Sequence, residues 1–366
     1  MKIAFALAIH SPDDDRVWYQ QSQALLAHQH EVFIVSATSR PQNKEGVFCF
    51  ERNIPHLQQI NKFSHYLLTI NPDVVICDNP ISVLAASKYK RKRKKRQLKI
   101  YYDITEWYPS KAHFCHDPKI KKVLKFPVLC GISFIVSFLV SGFIFGEYYK
   151  SIPYKLFFWK RSVYLTYYAD LEQIKIYPVS EDIQKVILFF TGKLIEASGF
   201  NSMLQVAKEC AKRFSNTDFL LCIISTDVDT TTTQIYDKNL TVEFLPKFPF
   251  EVFCEKYGEA DIFFDLREIN WENTRCLPIK LFYYMAAGRP VVYSDLKAIR
   301  KGVPEINEFG FLVNPENISN IVNIVSEYLL NRQLYKNHSQ RARQLCEIKY
   351  NWKDIENQLI KFIEKG

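Results

Sequence analysis

The chain has 366 residues, 48% of them hydrophobic and 15% aromatic, which is enough for two well-buried domains. The net charge of +9 is local: the run Lys88–Arg96 carries eight positive charges and the remainder is close to neutral, which argues against a general nucleic-acid surface. Nine scattered cysteines without a Cys-x-x-Cys pair signal neither a zinc site nor a disulfide framework, and a strand-like start without a signal-peptide pattern makes a reducing cytoplasm the expected compartment.

Lys2–Ile9 is a continuous apolar run suited to a central parallel strand. The loop from His10 to Arg16 follows, then a predicted helix over Val17–His28 and a second strand at Val32–Ser36, the order of a doubly wound half. No Gly-x-Gly-x-x-Gly occurs in the first turn, so a dinucleotide fingerprint is absent. The Asp13–Asp15 cluster reads as helix caps rather than metal ligands. Val74–Cys77 is a further strand, and Asp78-Asn79-Pro80 opens the helix Ile81 to about Lys90, which the basic block extends or follows as a loop. Ile100–Tyr102 is the next strand, with Asp103 to Pro109 at its carboxyl end, where open α/β sheets bind ligands. Asp103 and Glu106 there either orient a hydroxyl-rich ligand or cap the next segment.

Leu124–Gly146 holds a single charge, Lys125, and is long enough to span a bilayer. Pro127, Gly131 and Gly142 interrupt it. Three readings stand: a buried helix of about 14 residues followed by a strand, a helix lying in a membrane interface, or a span. A strand at Val163–Thr166 and the polar stretch Asp170–Asp182 close the first half.

Val186–Phe190 opens a second series, with Thr191-Gly192-Lys193 at its end. A helix over Phe200–Phe214, a strand at Phe219–Ile224, a Thr/Asp-rich loop at Thr226–Thr233, a strand at Val242–Leu245, a helix at Phe250–Tyr257 and a strand at Asp261–Phe264 continue the alternation. In Leu277–Asp295, Pro278 starts a helix, Leu281, Phe282, Met285 and Ala286 form its apolar face, and Gly288 and Pro290 end it before the strand Val291–Tyr293. That helix start presents bare N–H groups and a positive dipole end, an anion site in form. Gly310–Val313 and a helical tail over Asn317–Glu364 complete the chain.

Taken together, LPIKLFYYMAAGRPVV followed by SD, GFLVNP and YNW, with HSPDDDRV, HEVFIVS and YYDITEWYP in the front half, resembles the retaining family-4 glycosyltransferases (glycosyl transferases group 1). The resemblance implies an α/β GT-B fold: two tandem Rossmann-like domains facing across a cleft, with C-terminal helices. It places an acceptor-side domain at 1–172, a nucleotide-sugar donor domain at 173–345, and a C-terminal helix at 346–366 able to cross back to the first domain. It also implies a metal-independent, cofactor-free hexosyltransferase in polysaccharide biosynthesis, with a nucleotide sugar as donor and a glycan or lipid-linked glycan as acceptor.

By the same resemblance, Lys193, Lys280 and Glu106 are the candidate catalytic residues. Gly192, Glu272, Asn273, Thr274, Arg275, Leu277 and Tyr283 bind donor; His10, Asp14, Arg16, Asp103, Thr105 and Trp107 bind acceptor. Four positions depart from the family pattern. Thr105 replaces a histidine, Ser198 a basic residue, and Arg275 and Tyr283 two glutamates, with Glu272 three residues from the first and Arg275 able to compensate for Ser198. Those changes motivate an alternative, a catalytically impaired member acting as a sugar-nucleotide binder or partner subunit; a sugar-nucleotide epimerase is a third reading. The basic block and the 124–146 segment motivate peripheral attachment to the anionic inner face of the cell membrane.

Overall fold

The computed structural model describes residues 1–39, 44–94, 97–115, 117–178, 184–228 and 233–365. Within the expected features, Lys95 and Arg96 of the basic block, the end of the 170–182 stretch and residues 229–232 of the Thr-rich loop lie outside the described residues. The chain forms two compact units, Met1–Thr166 with Ile355–Gly366, and Tyr167–Asp354.

Unit 1 is a parallel sheet of seven strands: β1 (Lys2–Leu7), β2 (Glu31–Ala37), β3 (Val47–Phe50), β4 (Val74–Cys77), β5 (Lys99–Ile104), β6 (Gly142–Phe145) and β7 (Arg161–Tyr164), in the order β3-β2-β1-β4-β5-β6-β7. The central strands are buried on both faces, which is why they read as unbroken apolar runs. Strand order reverses between β1 and β4, so the loops after these two strands meet at the topological switch point. The tail residues 355–366 belong to this unit, where the Phe362 ring lies 4.7 Å from Tyr101.

Unit 2 repeats the design with β8 (Lys185–Thr191), β9 (Asp218–Ser225), β10 (Thr233–Asp237), β11 (Leu240–Pro246), β12 (Ile262–Asp265), β13 (Val291–Ser294) and β14 (Gly310–Val313), ordered β10-β11-β9-β8-β12-β13-β14. Its switch point lies between β8 and β12. Only β10, at the edge, runs antiparallel, on β11. The helix Ile279–Ala286 buries all of Leu281–Ala286 rather than one stripe, with the Tyr284 ring stacked 4.0 Å from Phe263. Gly288 ends it at φ +68°, a left-handed position that glycine adopts without strain.

The two Rossmann-like units match the expected fold class; several local expectations change. Strands β3 and β10 and the helices His56–Ile70, Tyr148–Phe157 and Lys297–Gly302 were not expected. Strand β10 begins at the last residue of the expected Thr226–Thr233 loop and pairs antiparallel with β11. The first helix winds as a π-helix over Asp15–Ser22 before its α-helical end at Gln23–Ala27. The tail divides into Ile318–Leu330, Arg332–Ile348 and Trp352–Glu364.

The largest correction concerns the apolar segment. It forms a 21-residue helix, Lys119–Leu139, not a buried one of about 14, and only Ser133, Val136 and Ser137 are buried. Ile120, Val123, Leu124, Val128, Ile135 and Phe138 are each more than half exposed. By length and composition this helix is apolar enough to cross a membrane, yet it packs on the Pro80–Arg93 helix and leads directly into β6 of the sheet.

Candidate functional site

In unit 1 the site is built where β1 and β4 end. Asp78, just past β4, accepts hydrogen bonds from the backbone N–H groups of Ala8 (2.8 Å), Ile9 (3.0 Å) and His10 (3.1 Å), which pins the loop after β1. His10 is thereby held between two partners, with Nδ1 3.0 Å from Asp14 Oδ2 and Nε2 3.0 Å from Thr105 Oγ1. Asp14 also caps the following helix through Val17 N–H at 3.2 Å. Burial opposes a charge on His10. The charge and hydrogen bond of Asp14, with Asp78 and Glu106 nearby, together outweigh it and raise the imidazole to about 10. At neutral pH His10 is therefore an imidazolium that donates to both neighbours.

Two expected acceptor residues face each other instead of solvent. Arg16 grips Asp103 with Nε–Oδ2 at 3.2 Å and Nη2–Oδ1 at 3.0 Å, while its Nη1 donates to Leu165 O at 2.6 Å. Gln21 adds a 2.8 Å bond to Asp103. Arg16 and Asp103 are 3% and 5% exposed, so the pair ties β5 to the first helix and the chain after β7. Beyond it Glu106 is exposed and Trp107 half-buried, and both line a cavity of about 390 Å³ with Ile9, Asp78 and Asn79. Lys150 was not anticipated. It is buried after β6, pairs with Glu147 at 2.7 Å, and donates to the carbonyl of Thr105. Its position one turn past a strand end was the available signal.

In unit 2, Lys280 Nζ donates to the carbonyl of Thr191 at the end of β8 and lies 4.0 Å from the carboxylate of Asp265, the last residue of β12. At Gly192, the residue after Thr191, an added Cβ would press on the Phe190 ring at 3.2 Å and make only ordinary contact with Lys280 Nζ at 3.8 Å. Burial, only partly offset by Asp265, lowers the Lys280 ammonium to about 8. Asp265 is itself held by Arg267 through Nε at 2.7 Å and a second bond from Nη2. Sequence reading missed both Asp265 and Arg267, although a carboxylate closing an apolar strand at its carboxyl end was a visible sign.

The remaining donor-side positions are spread along the loop 266–278. Asn270 Oδ1 accepts from the N–H groups of Glu272 (3.0 Å) and Asn273 (2.9 Å), and Asn273 Nδ2 donates to Glu268 O at 2.8 Å. Thr274 and Leu277 are buried. Arg275 lies over the Trp271 ring at 4.8 Å and bonds Trp271 O at 3.0 Å; the cation beside Lys280 is instead Arg267. Lys193 is exposed. Tyr283 is 2% exposed, with Phe250 and Tyr257 rings at 5.7 and 6.1 Å, so it stands in the aromatic layer behind the site. No group of three or more metal-ligating side chains occurs among the described residues.

The second cluster gathers Lys280, Asp265 and Arg267 at the switch point of a Rossmann-like unit. Residues 185–331 match the family described as Glycosyl transferases group 1. Among solved structures, the chain is similar to sucrose-phosphate synthase from Thermosynechococcus elongatus (TM-score 0.72, 11% identity, 100% of this chain and 99% of that one). It is also similar to HepE of Anabaena in complex with UDP-glucose (TM-score 0.71, 13% identity, 100% of both chains) and to a glycosyltransferase from Rickettsia africae (TM-score 0.64, 13% identity, 100% and 98%). No curated protein matches the sequence. The two-domain GT-B architecture is thus common to this chain and these transferases.

Proposed function

We propose that this protein transfers a sugar, with retention of configuration, from a nucleotide diphosphate sugar to a glycan or lipid-linked glycan acceptor. The observation that carries the reading is the Lys280–Asp265–Arg267 cluster at the unit 2 switch point, inside the segment that matches the family. With Lys280 protonated the cluster holds one net positive charge, next to the start of the Ile279–Ala286 helix. A departing diphosphate gains charge as its bond to the sugar breaks, and preorganised cations favour that state over the ground state. Lys193, exposed two residues after β8, adds a further positive charge to this proposed site. The chemistry requires neither metal nor cofactor. HepE, similar in fold, is known in complex with UDP-glucose, which makes UDP-sugars the first donors to try.

On the acceptor side, Glu106 is the group offered to a hydroxyl-rich ligand, with Asp78 and Asn79 in the same cavity wall and His10 behind them, bonded to Thr105. We place the protein on the cytoplasmic face of a membrane, as a peripheral protein in polysaccharide biosynthesis. The exposed apolar side of the Lys119–Leu139 helix, with Lys119, Lys121 and Lys122 at its start, supports this. The test is release of nucleoside diphosphate from a panel of donors, with and without lipid-extract acceptors. Turnover that Lys280→Ala abolishes is expected. Tight donor binding without turnover under any acceptor would point to a sugar-nucleotide sensor, and no donor binding at all would end the proposal. Failure to sediment with anionic liposomes at low salt would remove the membrane assignment alone.

A further inference from the structure

We propose that the cavity between the Lys119–Leu139 and Tyr148–Phe157 helices binds the hydrocarbon chain of a lipid acceptor, while the sugar head lies at the β1/β4 switch point. The inference rests on the lipid-linked reading of the acceptor and supplies the site that reading lacks. The cavity measures about 440 Å³, within the range of about 300–1,000 Å³ usual for small-ligand pockets. Gly131, Phe134, Pro153, Phe157 and Phe158 are among the residues that line it.

Four polar side chains along that wall, Ser133, Ser137, Tyr154 and Lys150, already have partners. Ser137 Oγ donates to Ser133 O at 2.8 Å, Ser133 Oγ and Tyr154 OH are 3.2 Å apart, and the Lys150 ammonium is held by Glu147 and the Thr105 carbonyl. Away from Glu106, a ligand entering here therefore meets mostly carbon, and displacing water from such a wall is favourable for an apolar chain. This also accounts for the inverted burial of the helix, whose serines face the protein while its large apolar residues face outward.

Two further features choose a lipid chain over other occupants. Ile135, Phe138, Leu156 and Trp159 are exposed beside the slot, Trp159 at 98%, and the lining residues Phe134 and Phe157 are exposed as well, so the slot opens beside an exposed apolar face. Lysines 119, 121, 122 and 155 flank that face, a complement to anionic headgroups. At its inner end the cavity shares Glu106, Trp107 and Tyr108 with the 390 Å³ cavity that holds Asp78 and Asn79. One amphipathic molecule fits this pair: chain in the apolar slot, glycan head against Asn79 and Glu106, and its junction at Trp107.

Gly131→Leu gives a selective test. A Cβ at Gly131 meets nothing within 4 Å, and leucine is the better helix former, so the variant fills the slot without disturbing the fold. Full-length protein is titrated with cis-parinaric acid below its micellar concentration, with geranylgeranyl phosphate and inorganic phosphate as competitors. Saturable one-to-one binding is expected, displaced by the isoprenyl phosphate and not by phosphate, and roughly tenfold weaker in Gly131→Leu at an unchanged melting temperature. An Ile135→Ser/Phe138→Ser variant, altered outside the slot, should bind the probe as the parent does.

Equal binding by parent and Gly131→Leu overturns the proposal. So does loss only in the Ile135/Phe138 variant, which would mean surface adsorption, or no binding by any of them, which would leave the face to a protein partner. Donor turnover is scored separately. A slot that binds the probe in a protein without turnover sinks the transferase reading and spares the slot; turnover on a water-soluble acceptor with no probe binding does the reverse.

Discussion

His10 Nε2 lies 3.0 Å from Thr105 Oγ1, although 95 residues separate them. Thr105 stands where the family resemblance calls for a histidine. The fold brings an imidazole to that threonine from the loop after β1, and Asp14 on the other ring nitrogen fixes it as a charged donor. Replacing His10 by Gln should keep a donor toward Thr105 but remove the charge. If His10 serves the acceptor, kcat/KM for transfer should fall about 10²–10⁴-fold, the usual weight of a positioned acid or base. Donor binding in unit 2 should not change. A loss of less than threefold would dismiss the role.

The same residue sets a pH dependence of stability. The folded imidazole titrates at about 10 and the unfolded one near 6.5. Its contribution is therefore complete below about pH 6.5 and is lost as pH rises through about 10. Melting temperatures of the parent should decline across that window, and those of His10→Gln should decline less. Parallel curves for the two proteins would mean that His10 is not charged in the fold.

Lys280 predicts the opposite kind of titration. Its folded value of about 8 is below that of a free lysine, so a diphosphate that keeps the ammonium charged binds best below pH 8 and more weakly above it. Nucleoside diphosphate affinity should therefore fall as pH passes from 7 to 9. Lys280→Met should bind roughly 10–100-fold more weakly at pH 7, the worth of one charge-assisted hydrogen bond, and should show little of that pH slope. Calorimetric titration at three pH values decides this.

The architecture was legible because parallel strands buried on both faces leave unbroken apolar runs, as in Val74–Cys77 and Ile262–Phe264, and because Pro278 and Gly288 punctuate the helix before Val291–Ser294. Individual site residues were less so. Lys280 was reachable from motif position. Arg267 was not, since its role depends on Asp265 across a turn. The resemblance put Tyr283 among the donor-binding residues, and helix packing buries it beside Phe250 and Tyr257. Periodicity shows that a helix has an apolar side and not what covers that side, and this is why Lys119–Leu139 was open to three readings.

The Arg16–Asp103 pair separates a structural from an acceptor-binding role. Both groups are buried, so Arg16→Met leaves an uncompensated carboxylate and should cost roughly 3–5 kcal/mol of stability. The double variant Arg16→Met/Asp103→Leu should recover much of that loss, because an apolar pair of similar volume avoids the desolvation cost. Urea unfolding of the two single variants and the double variant measures the coupling. Additive losses would mean that the pair contributes no coupling and that the residues act separately.

Side chains on the outward face of the Lys119–Leu139 helix should behave unlike core residues. Val123 is 73% and Leu124 67% exposed, so Val123→Ser/Leu124→Ser removes little buried area and should change unfolding free energy by no more than about 0.5 kcal/mol per site. The same variant should lose sedimentation with vesicles containing anionic lipid. Lys119→Gln/Lys121→Gln/Lys122→Gln should weaken vesicle binding by about 1 kcal/mol per charge at low salt, with the difference shrinking at high salt. If instead the serine variant is strongly destabilised in the absence of vesicles, the face is covered by protein in solution, and the membrane is not its counterpart.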